Sequence, residues 1–194
     1  MPTTMQPTVV STSLPSINEA DALAIGTLLA RIWPRDDSGP QQRADKLVRV
    51  GAEYAGPEAT QPRSLVVWDG GEAIGHAMIF ERTIHLGDEP LSAMALAAVC
   101  SNPDRRGEGL GNAVVRAAFD LVDDGVFPVS LFQTSFPVEA FYNRFGAARV
   151  ENRVVNSLNT DDPSANPFWD DIVMRYPATA GWSDADVDLR GPGY

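Results

Sequence analysis

Thiol chemistry and metal binding have little to draw on in this sequence. Cys100 is its single cysteine, which excludes an intrachain disulfide and offers no thiolate cluster for zinc. Its two histidines, His76 and His85, stand nine residues apart, a spacing that matches none of the short metal-binding motifs. We therefore expect no resident metal. No apolar run approaches the ~20 residues that a membrane-spanning helix needs. The opening "MPTTMQPTVVSTSLPS" lacks a basic patch followed by an apolar stretch, so we expect no secretory signal and a cytoplasmic location. Positive charge is also scarce: 15 Lys and Arg stand against 26 Asp and Glu, for a net charge of −11. Such a chain should repel nucleic acid and anionic membranes, and neither is expected as a partner.

What the sequence does have is apolar material, 44% of 194 residues, enough for one full-sized core. Residues 1–7 read as a loose tail and 8–194 as a single domain. "TVVSTSL" (8–14) reads as a first strand. "SINEADALAIGTLLARIWP" then opens on capping-type residues, keeps helical spacing and stops at Pro34, and "QQRADKLVRVGAEYAG" follows as a second helix. "SLVVWDG" and "AIGHAMIFERTIHL" flank an Asp-Gly-Gly-Glu turn, a strong hairpin signal, and "LSAMALAAVCS" adds a strand. The next helix should bury Leu110, Ala113, Val114, Ala117, Ala118, Leu121 and Val122, with Arg116, Asp120 and Asp123 wet. "PVSLFQT" reads as a buried strand, "PVEAFYNRFGA" as a compact helix, and "ARVENRVVNSL" and "DIVMRYP" as two last strands. The order β-α-α-β-β-β-α-β-α-β-β implies an α/β fold with helices around a mixed, mostly antiparallel sheet.

The stretch "DRRGEGLGNAVVRAAFDLV" sets glycines 107, 109 and 111 at the mouth of a helix, directly after Arg105 and Arg106. A helix N-terminus carries free N–H groups and partial positive charge, so it suits a phosphate, and glycines let the backbone come close. Arg105 or Arg106 can add a charged contact. Three phosphate-binding loops compete with a plain glycine-rich cap. A nucleoside-triphosphate loop needs Gly-Lys-Ser/Thr where Asn112-Ala113 stands. A dinucleotide fingerprint needs glycine at Asn112 and a parallel βαβ unit. Arg-x-x-Gly-x-Gly is matched by Arg106-Gly107-Glu108-Gly109-Leu110-Gly111. There the sequence resembles the GCN5-related N-acetyltransferase (GNAT) superfamily, in which this loop grips the pyrophosphate of acetyl-CoA.

A second motif, "EAFYNRFGA" (139–147), resembles the superfamily's later short helix bearing a tyrosine and followed by glycine. The similarity covers roughly residues 64–158 and implies a GNAT-type fold. It implies acetyl-CoA as cosubstrate, bound by Val99, Cys100, Ser101, Arg106, Gly107, Glu108, Gly109, Leu110, Gly111, Asn112 and Ser135. It also implies Tyr142 as the acid that protonates the departing CoA thiolate, a core tyrosine being the plainer reading. Backbone N–H groups near Val99 to Ser101 would polarise the thioester carbonyl.

A weaker likeness ties "AIGHAMIFERTIHLGDEPL" and "FWDDIVMRYP" to aminoglycoside 2′-N-acetyltransferases, although Ala97 stands where that branch carries a glutamate. It implies that Asp170 and Asp171 meet a cationic amine and that Glu81 and His76 border the acceptor cleft. Glu81 is the candidate base, with an exposed strand carboxylate as the alternative. The other aspartates of the last third, Asp161, Asp162, Asp184, Asp186 and Asp188, read as solvated loop charges. No histidine is placed to activate Cys100 as an acyl-carrying nucleophile. The expected activity is transfer of an acetyl group from acetyl-CoA to a small cationic amine by direct attack in a ternary complex. The alternatives are a non-catalytic acyl-CoA-binding regulator and a transferase for a longer acyl chain; a homodimer is compatible with either.

Overall fold

The computed structural model describes residues 7–178 and 181–194. The tail expected over residues 1–7 lies, except for Pro7, outside them. Among the described residues the chain forms four α-helices and nine strands: β1 (Val9–Ser13), α1 (Glu19–Ile32), α2 (Pro40–Ala52), β2 (Arg63–Asp69), β3 (Glu72–Leu86), β4 (Glu89–Ser101), α3 (Leu110–Asp123), β5 (Ser130–Thr134), α4 (Phe136–Asn143), β6 (Ala148–Arg149), β7 (Val154–Val155), β8 (Ile172–Tyr176) and β9 (Val187–Asp188). The sheet order is β1-β2-β3-β4-β5-β8-β6, with β9 paired to β3 and β7 to β9. Only the β4–β5 and β7–β9 pairings are parallel among the recorded registers, so the sheet is mixed and mostly antiparallel, as expected. No helix is long and apolar enough to cross a membrane among the described residues.

The chain divides into two compact units, residues 1–80 with 98–120 and residues 81–97 with 121–194. The first holds α1, α2, β1, β2, most of β3, the end of β4 and most of α3. Asn18 opens α1 by accepting the Asp21 N–H at 2.8 Å. Leu14, Ile25, Leu28, Leu29, Leu47, Val66, Ala73 and Cys100 close over one another as the core of this unit. Against β3 the start of α3 comes very near: a Cβ on Gly75 would sit 3.3 Å from that of Leu110.

The buried face of α3 is turned from the one expected. Val114, Val115, Ala118 and Phe119 have no exposed surface, whereas Ala113, Ala117 and Leu121 are only half-buried. Arg116, Asp120 and Asp123 are exposed, as the periodicity predicts.

In the second unit Ile84, Leu131, Val173, Val187, Leu189 and their neighbours form a separate core. The segment 148–158 is not the single strand expected. It makes the two-residue β6 against β8, breaks, and makes the two-residue β7 against β9. That last strand lies in a tail the sequence presents as charged: Val187 and Leu189 are fully buried on either side of Asp188.

Candidate functional site

The end of β4 and the loop after it are built entirely within the first unit. At Ala98 the strand leaves the extended region, with φ of 51°. Four residues on, the Asn102 N–H donates to the Ile74 carbonyl at 2.8 Å and its side-chain oxygen accepts from the Asp104 N–H at 3.0 Å. These bonds fix where the chain turns into the glycine loop. Gly107 and Gly109 both have positive φ, 87° and 77°, which side-chain-bearing residues adopt only with strain. A Cβ at either would meet no protein atom within 4 Å, so their backbone is open to an approaching group. The Gly109 carbonyl accepts from the Ala113 N–H at 2.9 Å and begins the α3 ladder. The N–H groups of Leu110, Gly111 and Asn112 therefore belong to a first turn with no acceptor in its own helix.

The two arginines separate into different roles. Arg105 is held by Glu108 and Asp69, each at 2.6 Å, and the pair keeps its guanidinium firmly charged. Arg106 is exposed and pairs with no carboxylate among the described residues. Of the two it is the one available to an incoming anion. Glu108 faces Arg105 and the Leu110 side chain is buried, so both bring only backbone to the loop. Val99 and Ser101 are half-buried. Cys100 sits in the apolar core, where burial pushes its thiol up to about 12. A thiol so placed is inert at neutral pH.

His76 was expected beside the acceptor. It has no exposed surface: its Nδ1 lies 2.9 Å from the Ala98 carbonyl and its Nε2 lies 3.0 Å from Ser64 Oγ. Direct contact with an acceptor is therefore excluded in this conformation, because both ring nitrogens are engaged inside the protein. His85 is half-buried on β3, in register with Asp188 of β9.

In the second unit, α4 carries Tyr142. Its ring is buried against Phe132, at 4.6 Å between centroids, and Phe141, at 5.0 Å. The hydroxyl has no hydrogen-bond partner among the described residues. Burial first, and the charge of Asp170 second, raise the phenol above its ordinary range, so it stays protonated. Ser135 caps α4 through its backbone without a side-chain bond, while Asp171 accepts the Phe136 N–H at 3.1 Å. The two acidic residues thus divide. Both are exposed, but Asp171 accepts the N–H at the start of α4 while the Asp170 carboxylate caps no helix. Glu81 is half-buried and accepts from Ser92 Oγ at 2.8 Å.

Gln133 escaped the sequence reading. Its side-chain oxygen accepts the N–H groups of both Trp169 and Asp170, each at 2.9 Å, and so fixes the backbone from which the Asp170 carboxylate projects. The available signal was a lone amide inside the buried strand "SLFQT". Ala98 and Ser64 escaped too, since nothing local marks an alanine for left-handed backbone.

Three comparisons bear on this arrangement. The model of the acetyltransferase (GNAT) domain family matches residues 16–150. Among curated proteins none matches at a significant level. An acyl-CoA N-acyltransferase from Pseudomonas aeruginosa is similar at 17% identity and a TM-score of 0.57, over 88% of this chain and 99% of that one. Escherichia coli ElaA is similar at 16% and 0.58, over 88% and 99%. A GNAT family acetyltransferase from Brucella melitensis, solved in complex with acetyl-CoA, is similar at 16% and 0.57, over 94% and 96%. At these identities the solved structures carry the fold alone, and the family match carries the superfamily rather than its aminoglycoside branch. With the motif covering most of its length, the chain belongs to the GNAT acetyltransferase family.

Proposed function

We propose that this protein transfers an acetyl group from acetyl-CoA to the amine of a small cationic substrate, by direct attack in a ternary complex, with residues 8–194 acting as one catalytic domain. The observation that carries the reading is the open, left-handed backbone of Gly107 and Gly109 at the head of α3, next to an unpaired Arg106. Those residues fit a pyrophosphate: donors without acceptors, the positive end of a fourteen-residue helix, and one free guanidinium. Bound acyl-CoA supplies an activated thioester; the rest of the chemistry falls to the chain.

A primary amine has a pKa of about 10.4, so at neutral pH it arrives as ammonium and cannot attack. Asp170 supplies an exposed negative charge to draw it in, and Glu81 is the candidate to take its proton. Backbone amides from Val99 to Ser101 polarise the acyl carbonyl. Tyr142, protonated and without an internal acceptor, gives its proton to the departing sulfur.

A panel of amines assayed with acetyl-CoA for free thiol release tests the whole reading. Release with cationic amines and not with uncharged alcohols supports it. CoA binding with no release from any amine, using acetyl-CoA or longer acyl-CoAs, replaces the enzyme with an acyl-CoA-binding regulator.

The two aspartates should behave differently. Asp170→Asn is expected to raise KM for a cationic amine severalfold and leave CoA affinity unchanged. The effect should fade with salt, because exposed charges are screened over about 8–10 Å. Asp171→Ala should instead cost stability, about 0.5–2 kcal/mol for a lost helix-capping acceptor, read by denaturant melts. Equal KM in the Asp170 variant and the parent would return that residue to the solvated surface.

A further inference from the structure

Ala98 and Arg190 are the only non-glycine residues with positive φ among those described. An alanine held there costs about 1–2 kcal/mol, so something must hold it. The turned carbonyl, in a half-buried residue, also needs a donor, since a backbone oxygen drawn out of water and left unpaired is costly. His76 provides that donor from the neighbouring strand. A carbonyl oxygen can only accept, so the 2.9 Å contact puts the ring proton on Nδ1. Burial lowers the His76 pKa to about 4, so the imidazole is neutral and its Nε2 carries a lone pair. Ser64 Oγ, 3.0 Å away and also without exposed surface, must then donate to it. One directed chain of hydrogen bonds runs from Ser64 on β2, through His76 on β3, to Ala98 on β4.

An apolar residue at position 76 would fill the same space but leave the Ser64 hydroxyl and the Ala98 carbonyl without this partner. The polar chain makes sense as a device that holds one backbone conformation. We propose that His76 is a positioning residue for acyl transfer: it holds Ala98 left-handed and so aims the amides of Val99 to Ser101 at the acyl carbonyl. The proposal rests on the acyltransferase reading above, but adds a residue that never meets the acceptor.

Three substitutions separate this role from packing. His76→Leu fills the site without a donor. His76→Asn keeps an N–H near the place of Nδ1, and His76→Gln moves it towards Nε2 and Ser64. We expect His76→Leu to lower kcat by about 10- to 100-fold, below the 10²–10³-fold cost of deleting an oxyanion donor outright, because the amides are misdirected rather than removed. KM for acetyl-CoA and CoA affinity by calorimetry should change little. His76→Asn should keep more kcat than His76→Gln. Adding Ala98→Gly to His76→Leu should recover much of the loss, since glycine takes φ near 51° without the alanine penalty.

Unchanged kcat per folded molecule in His76→Leu overturns the proposal, as does equal loss in the Asn and Gln variants without rescue by Ala98→Gly. Nitrogen NMR of the wild-type imidazole gives a reading that needs neither activity nor a stable variant. Nδ1 protonated and Nε2 bare at neutral pH supports the proposal, and the opposite tautomer sinks it. If wild type acylates no amine, the functional reading falls by itself. The amide shifts of Val99 to Ser101 in the variants still report whether His76 sets the backbone.

Discussion

Gly109→Glu is expected to abolish measurable CoA binding in a protein that still folds. Folding should survive because a Cβ at this position meets no protein atom within 4 Å. The φ of 77° costs a side-chain-bearing residue about 1–2 kcal/mol, which most domains tolerate. Binding should not survive, for two reasons that act together. The new side chain stands where the backbone must be bare for a phosphate to approach. Its carboxylate is also drawn to the same first-turn N–H groups and positive helix end that would hold the pyrophosphate. The protein would carry its own competing anion. Losing two charge-assisted hydrogen bonds at about 1.5–3 kcal/mol each corresponds to a drop of about 10²–10⁴-fold in affinity. Gly109→Ala carries the same strain without the charge and should lose far less. Calorimetric titration with CoA checks both, with a melting curve on each sample. Parental affinity in a folded Gly109→Glu protein would remove the loop from the binding site.

What the sequence makes legible follows the range of the interaction. The glycine loop, the helix behind it and the tyrosine helix are local patterns, and all three stand where they read. The turned face of α3 is a subtler matter. Its apolar positions form two adjoining stripes, and the bulky pair Val115 and Phe119 wins the core over the small pair Ala113 and Ala117. β9 hid behind its charge: Val187 and Leu189 alternate with aspartates, a strand pattern too short to stand out in an acidic tail. Asp188 is no solvated loop charge either, since it accepts the N–H groups of Ser157 and Arg190.

Choices between neighbours were out of reach because distant partners decide them. Arg105 is taken by Asp69, thirty-six positions away, and that leaves Arg106 for an anion. Asp171 is engaged by the Phe136 N–H, thirty-five positions away, and that leaves Asp170 as the one for a cationic acceptor. His76 reads as a strand residue bordering the acceptor cleft until Ser64 and Ala98 close on it from strands on either side.

Tyr142→Phe should separate the acid from the ring that carries it. The substitution removes one oxygen that bonds to nothing within the described protein, and it keeps the packing on Phe132 and Phe141. Stability should therefore hold, and CoA affinity should change little if, as proposed, the loop supplies most of the grip. Turnover should fall by about 10²–10⁴-fold, the scale of a lost general acid. The lower end is expected, because a thiolate with a pKa near the 8.5 of cysteine leaves partly unaided. The pH dependence gives a sharper test. Burial and the charge of Asp170 keep the phenol protonated beyond its ordinary pKa of about 10. Both proteins should gain rate with rising pH as the amine loses its proton, while the ratio of their rates stays flat up to pH ~10, where an unshifted tyrosine would begin to ionise. Stopped assays of kcat from pH 6 to 10, normalised to folded protein, measure that ratio. A ratio near one makes Tyr142 a core residue. A ratio that collapses well below the ordinary tyrosine pKa shows that some other group supplies the proton.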